Sequence, residues 1–150
     1  MNSIATNLES LIDAYFPQLQ MLSETEFSAN PSPTKWSKKE IIGHLIDSAQ
    51  NNIRRFIVAQ YEETPTILYN QDKWVAINNY QNQEVPNIIQ LWYLINKQVV
   101  GILKNTSPEA SQRMSKSQEV HTIEWLAHDY IKHLKHHIHV VLNLAPVAYP

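Results

Sequence analysis

The sequence predicts an all-α protein: a four-helix bundle with a long connection between its second and third helices. Three observations predict it. Four segments carry apolar residues at helical spacing. Glycine is confined to Gly43 and Gly101, both inside those segments. One polar stretch, about 61–85, separates the second segment from the third. So little glycine leaves no Gly-rich phosphate loop and too few tight turns for an all-β domain. At 150 residues the chain makes a single domain, 1–150, with room for one core.

The first helix is expected from about Ser3 to Leu22, with Ile4, Leu8, Leu11, Ile12, Tyr15 and Leu19 on one stripe and Pro17 as a kink or interruption. The proline-bearing stretch Ser28–Thr34 then breaks the pattern. The second helix opens on Ser37-Lys-Lys-Glu40, a capping box in which each side chain satisfies a backbone N–H. It runs to about Gln60 with Ile41, Leu45, Ile53, Phe56 and Ile57 apolar, and the connection after it holds a short helical patch around Asp72–Tyr80. Pro86 starts the third helix, which continues to about Lys104. Its run Ile88–Ile95 is apolar nearly all round. Such a helix needs cover on more than one side, so Trp92, Leu94, Ile95 and Val99 predict a homodimer, unless the 61–85 connection covers them. The fourth helix spans about Thr122–Leu144, with Pro146 just past its end.

Composition narrows the function. Hydrophobic residues make up 43%, which excludes a disordered tail. Twelve Lys and Arg against fourteen Asp and Glu, a net charge of −2, provide no general attraction to nucleic acid or to an anionic membrane. No apolar run approaches the roughly 18 residues of a membrane span, and MNSIATNLESLIDAYF lacks the layout of a signal peptide. A cytoplasmic protein is expected. With no cysteine, any metal must be held by His, Asp or Glu, and no protein thiol can serve as nucleophile.

Seven histidines are present, and most crowd into His128–His139. At about 100° per residue, His133 and His137 share the stripe of Leu126, Tyr130, Val140 and Val141, expected to face the core. His128, Lys132, Lys135 and His139 fall on the opposite, wet side, and His136 flanks the core face. Two histidines four apart on one face can aim two imidazole nitrogens at one cation; two packed, hydrogen-bonded core histidines would look the same. His44 in the second helix heads a polar stripe continued by Asp47, Ser48, Asn51 and Arg55. That stripe is either a solvated face or a set of polar groups buried for a purpose. Gly43 beside it would let a helix or ligand approach closely.

Trp36-Ser-Lys-Lys-Glu-Ile-Ile-Gly-His-Leu-Ile-Asp-Ser48, followed by Asn52 and Arg55-Phe56, resembles the opening motif of the DinB/YfiT-like superfamily. Thr64-Pro and Tyr69-Asn-Gln-Asp-Lys-Trp74 are similar to its central loop, and Asp129-Tyr-Ile-Lys-His133-Leu-Lys-His136-His137 to its closing motif. The resemblance, over roughly residues 36–140, implies a four-helix bundle in which three histidines hold a divalent metal in an open site. Carried over, the ligands are His44, His133 and His137, with His136 matching a common histidine that is not a ligand.

The resemblance thus implies one divalent metal per chain: zinc or nickel first, iron or copper as alternatives. It would leave a position free for a small-molecule substrate. Asp47 after His44 and Asp129 before His133 are candidates to orient the imidazoles or accept a proton, or are exposed helix residues. Asn51 and Arg55 are candidates to grip a carboxylate on a low-molecular-weight thiol or its acceptor, with a structural salt bridge as the alternative for Arg55. Relatives in the superfamily include metal-dependent transferases and isomerases that use such thiols. A thiol S-transferase is therefore the first expectation, a metal-dependent hydrolase the second, and a stress-associated metal-binding protein without turnover the third.

Overall fold

The computed structural model describes residues 1–149. Helix α1, Asn2–Gln20, runs through Pro17 without a break and buries Ile4, Leu8, Ile12, Tyr15 and Leu19. The proline stands in the last turn, where only the Asp13 carbonyl loses its helical donor. A short α2, Glu24–Ser28, follows on a capping box between Ser23 and Glu26. Helix α3, Lys38–Val58, begins at the expected Ser37–Glu40 capping box, with Ser37 N–H donating to Glu40 at 2.7 Å. The connection then carries α4, Gln71–Asn78, and a 3₁₀ turn, Tyr80–Asn82. Helix α5 spans Val85–Asn105 and α6 Pro108–Ser111. A two-stranded antiparallel hairpin, β1 Met114–Lys116 and β2 Val120–Thr122, leads into α7, Ile123–Val141. The hairpin was not expected: its strands are only three residues each, too short to show an alternating pattern.

The four long helices pack in the cyclic order α1–α5–α3–α7. Helices α1 and α3, consecutive along the bundle, therefore lie on a diagonal, which requires long connections. The core is shared by all four, with Leu8, Ile12, Ile46, Phe56, Trp92, Leu103, Ile123 and Leu134 fully buried or nearly so.

Two expectations about faces need correction. On α5, Trp92 and Val99 are buried within this chain; α1 and α3 cover them, while the 59–84 connection packs on α3 instead. Only Leu91 and Leu94 remain substantially exposed there. On α7, Val140 is exposed, and the buried stripe runs through Leu126, Ala127, Tyr130, Ile131, Leu134, Ile138 and Val141. His133 and His137 flank this stripe, half-buried, at its border with α3.

Helix α3 is buried on nearly every side: every residue from Ile42 to Ala49 is inaccessible. Its apolar face meets α5 and α7, while α4 and the 3₁₀ turn pack on it from the connection. The stripe of His44, Asp47, Ser48, Asn51 and Arg55 is thus buried, not a solvated face.

The fourth helix stops three residues short of its expected end. Asn143 takes a left-handed conformation, φ 54°. Its N–H bonds to the Val140 carbonyl and the Leu144 N–H to the His139 carbonyl. This pairing is a Schellman motif, and it turns residues 144–149 back along α7.

Candidate metal centre

His44 enters the site one turn and a half into α3 and is 2% exposed. His133 and His137 come from adjacent turns of α7. Their ring centroids lie 4.6 Å apart, and each is 5.0 Å from that of His44. The Nε2 atoms of His44 and His133 are 3.1 Å apart, and one ligand nitrogen from each of the three lies within 4.8 Å of the others. Two nitrogens bound to one tetrahedral ion at roughly 2.0–2.1 Å would stand about 3.3 Å apart, so the set is close to the spacing one cation requires. Trp36 closes the His44 side, its ring 5.1 Å away and tilted.

Burial makes these rings neutral. It pushes His44 and His137 down to about 4 and, together with the neighbouring imidazoles, His133 to about 2. Neutral imidazole is the form that ligates a metal. The structure therefore brings together the three histidines picked out by sequence and leaves His128 exposed on the far side. Their donor set fits one divalent first-row ion.

Neither aspartate is hydrogen-bonded to a ligand histidine. Asp47 accepts from the Tyr80 hydroxyl at 2.6 Å and from Asn78 Nδ2 at 3.0 Å. Its Oδ2, like His44 Nδ1, is buried without a partner among the described residues. Burial raises Asp47 to about 6, against the Tyr80 hydrogen bond, which lowers it. Asp129 accepts from the Tyr149 hydroxyl at 3.0 Å. The physical reason is competition: each carboxylate has a phenol brought to it by a segment outside the helix.

The Tyr80 ring reaches Asp47 only because position 43 is glycine. A Cβ on Gly43 would overlap the Cγ, Cδ2 and Cε2 carbons of the ring. The close approach expected at Gly43 is thus made by the connection, not by a ligand.

Asn51 is fully buried and donates to the Asp47 carbonyl of its own helix, so its amide is turned away from solvent. Arg55 is buried too. It donates through Nε and one terminal nitrogen to the Ile67 carbonyl, at 3.3 and 3.0 Å, and through the other to Asn52 Oδ1 at 3.2 Å. No carboxylate lies within ion-pair distance of it among the described residues, so the structural salt bridge is absent.

Sequence reasoning missed Tyr80, Tyr149 and the purpose of His136 and His139. His136 Nδ1 meets the Val147 carbonyl at 2.6 Å and His139 Nδ1 the Ala145 carbonyl at 2.7 Å. The Tyr15 hydroxyl lies 2.9 Å from His139 Nε2. His139, expected on the wet side, is therefore half-buried under a strap formed by the C-terminal segment. Pro146 was the only signal, and it indicated an end without a direction.

A model of the DinB superfamily matches residues 7–141. The chain belongs to the DinB superfamily. Among its DinB relatives, a protein of Oceanobacillus iheyensis named "putative metal-dependent hydrolase" is 25% identical over 124 residues, 76% of this chain and 71% of that one. YfiT of Bacillus subtilis, named in the same way, is 21% identical over 131 residues, 85% and 74% of the two chains. The solved structure of YfiT, described as having an unusual four-helix bundle topology, superposes with a TM-score of 0.73 at 18% identity, over 95% of this chain and 87% of that one. A mycothiol-dependent maleylpyruvate isomerase shares the fold, with a TM-score of 0.78 at 16% identity, over 96% of this chain and 61% of the isomerase. As in YfiT, the DinB architecture here is a four-helix bundle.

Proposed function

We propose that this DinB-superfamily protein is a metal-dependent enzyme in which His44, His133 and His137 hold one divalent ion, zinc or nickel before iron or copper. Its reaction transfers a low-molecular-weight thiol to a small electrophile. The observation that carries the reading is the convergence of three neutral imidazoles, one buried on α3 and two half-buried on α7, on one point. A divalent ion held by three neutral ligands keeps a position open and lowers the pKa of a water or thiol that it binds. The chain has no cysteine, so the thiol must come from solution. The shared fold with a mycothiol-dependent isomerase supports a thiol as co-substrate.

The chain's own residues set the conditions. Trp36 packs on the buried His44, Tyr80 donates to the Asp47 carboxylate, and the Tyr149 ring stands 5.2 Å from His133. The names of the relatives favour a second reading, metal-dependent hydrolysis, at the same site with water in place of the thiol.

Metal analysis of protein purified without an affinity tag comes first, with about one ion per chain expected. Loaded protein is then incubated with monochlorobimane, with and without candidate thiols, beside His133→Ala. Thiol-dependent turnover that the variant lacks supports the transferase. Turnover of ester or amide substrates alone replaces it with the hydrolase, and absence of metal in the wild type refutes both.

A further inference from the structure

The C-terminal strap is held to the bundle by side chains. Its hinge is the Schellman turn, where the Asn143 N–H meets the Val140 carbonyl and the Leu144 N–H the His139 carbonyl. Beyond Leu144, no backbone–backbone hydrogen bond ties residues 145–149 to the bundle among the described residues, and Pro146 has no N–H to offer. Two histidines of α7 clasp the segment instead. A carbonyl can only accept, so His136 donates through Nδ1 to Val147 at 2.6 Å and His139 through Nδ1 to Ala145 at 2.7 Å. His139 Nε2 is then the acceptor for the Tyr15 hydroxyl at 2.9 Å, which fixes that clasp to α1. At the far end the Tyr149 hydroxyl donates to Asp129 at 3.0 Å. Residues 144–146 and 148 are exposed, whereas Val147 and Tyr149 are half-buried. A segment with exposed backbone and few buried contacts sits at the low end of local stability and opens before the fold does.

The strap lies where an ion has to pass. Of the three ligands, His44 is 2% exposed, on a helix buried on nearly every side and with Trp36 against its ring. His133 and His137 are the half-buried members, so the approach to the centre is from the α7 side. Tyr149 packs edge-on against His133, with ring centroids 5.2 Å apart. His136 packs edge-on against His137 at 5.0 Å, and the Tyr149 ring reaches His136 as well, at 5.9 Å. Each α7 ligand is thus flanked by a ring that belongs to the strap or clasps it.

We propose that residues 144–149 form a hinged cover over the α7 side of the three-histidine centre, which swings about Asn143 to admit and release the divalent ion. Tyr149 is the part that seals the His133 side. The cover rests on the preceding reading for what occupies the centre. It adds that access is set apart from affinity. The strap supplies none of the three ligand nitrogens, so loosening it changes how fast the ion crosses and not how tightly it is held.

The test follows zinc in the full-length protein by stopped flow, with a coloured zinc chelator reporting free ion. Release is timed from the loaded form into excess chelator, and uptake from limiting zinc by the metal-free form. Tyr149→Ala removes the seal and its hydrogen bond to Asp129. Asn143→Val loosens the hinge, because a β-branched residue resists the φ of 54° found there. Both variants should release and take up zinc roughly tenfold or more faster than wild type, the scale of one hydrogen bond to a carboxylate. Equilibrium occupancy should stay at about one ion per chain with helicity intact, and His128→Ala should exchange like wild type. Wild-type rates in both variants would overturn the cover. So would faster release with unchanged uptake, which would make the strap a source of affinity and not a gate. Failure of the metal reading is distinguishable: wild type that takes up no zinc refutes that reading and the cover with it, whereas uptake indifferent to both variants refutes the cover alone.

Discussion

Replacing Gly43 with alanine opposes two effects of known size at one atom. Gly43 lies inside α3, where alanine over glycine favours the helix by about 1 kcal/mol. Against this, the new Cβ would stand closer than 3.0 Å to three carbons of the Tyr80 ring. The ring has nowhere to go: Tyr80 is 3% exposed, and its hydroxyl is tied to Asp47 at 2.6 Å. Overpacking costs roughly 1–3 kcal/mol. Pushing the ring aside also removes a donor from a buried carboxylate whose other oxygen already lacks one, adding roughly 1–3 kcal/mol. The steric and polar terms win, and Gly43→Ala should destabilise by about 1–5 kcal/mol. Gly101 is the control. It lies inside α5, where an added methyl would meet nothing within 4 Å, so Gly101→Ala should stabilise by about 0.5–1 kcal/mol. Urea denaturation of both variants measures the contrast. In a Tyr80→Ala background the cost of Gly43→Ala should vanish, a coupling of roughly 2 kcal/mol or more. A Gly43→Ala protein as stable as wild type would refute the reasoning.

His44→Ala, His133→Ala and His137→Ala should each sharply reduce bound metal, whereas His128→Ala should not; full occupancy in His44→Ala, read by elemental analysis, would overturn that ligand. In metal-free protein the three histidines, near 6.5 when unfolded and about 4, about 2 and about 4 when folded, bind more protons unfolded, so stability should fall as pH drops from about 6.5 towards 4. Asp47, raised from 3.8 to about 6, acts in the opposite sense over that interval, so Asp47→Asn should steepen the loss; a wild-type urea midpoint that does not change between pH 6.5 and 5 would contradict the first statement, and an equal change in Asp47→Asn the second. The dimer now rests on Leu91 and Leu94 of α5, 45% and 55% exposed. A dimeric mass by light scattering, reduced by Leu94→Lys, is the expected result, and a monomer at micromolar concentration ends the idea.

The long helices and the metal-ligand candidates were legible in the sequence because local rules suffice for both. A capping box at Ser37–Glu40 starts α3 from four residues, and the i, i+4 spacing of His133 and His137 sets two side chains on one side of a helix before any packing occurs. Motif order added His44 through the resemblance to the superfamily. Which neighbours those helices take emerged only on packing, because burial belongs to the assembly and not to the helix. The stripe from His44 to Arg55 is polar by composition, and it is buried by the connection laid over α3 together with α7 and Trp36 against His44. The same holds for the partners of the two aspartates. Tyr80 reaches Asp47 across 33 residues and Tyr149 reaches Asp129 across 20, separations at which no periodicity in sequence records a contact. A single left-handed residue, Asn143, turned the end of α7 into a strap over the site; its backbone angle depends on the hydrogen bonds that the reversed chain then makes.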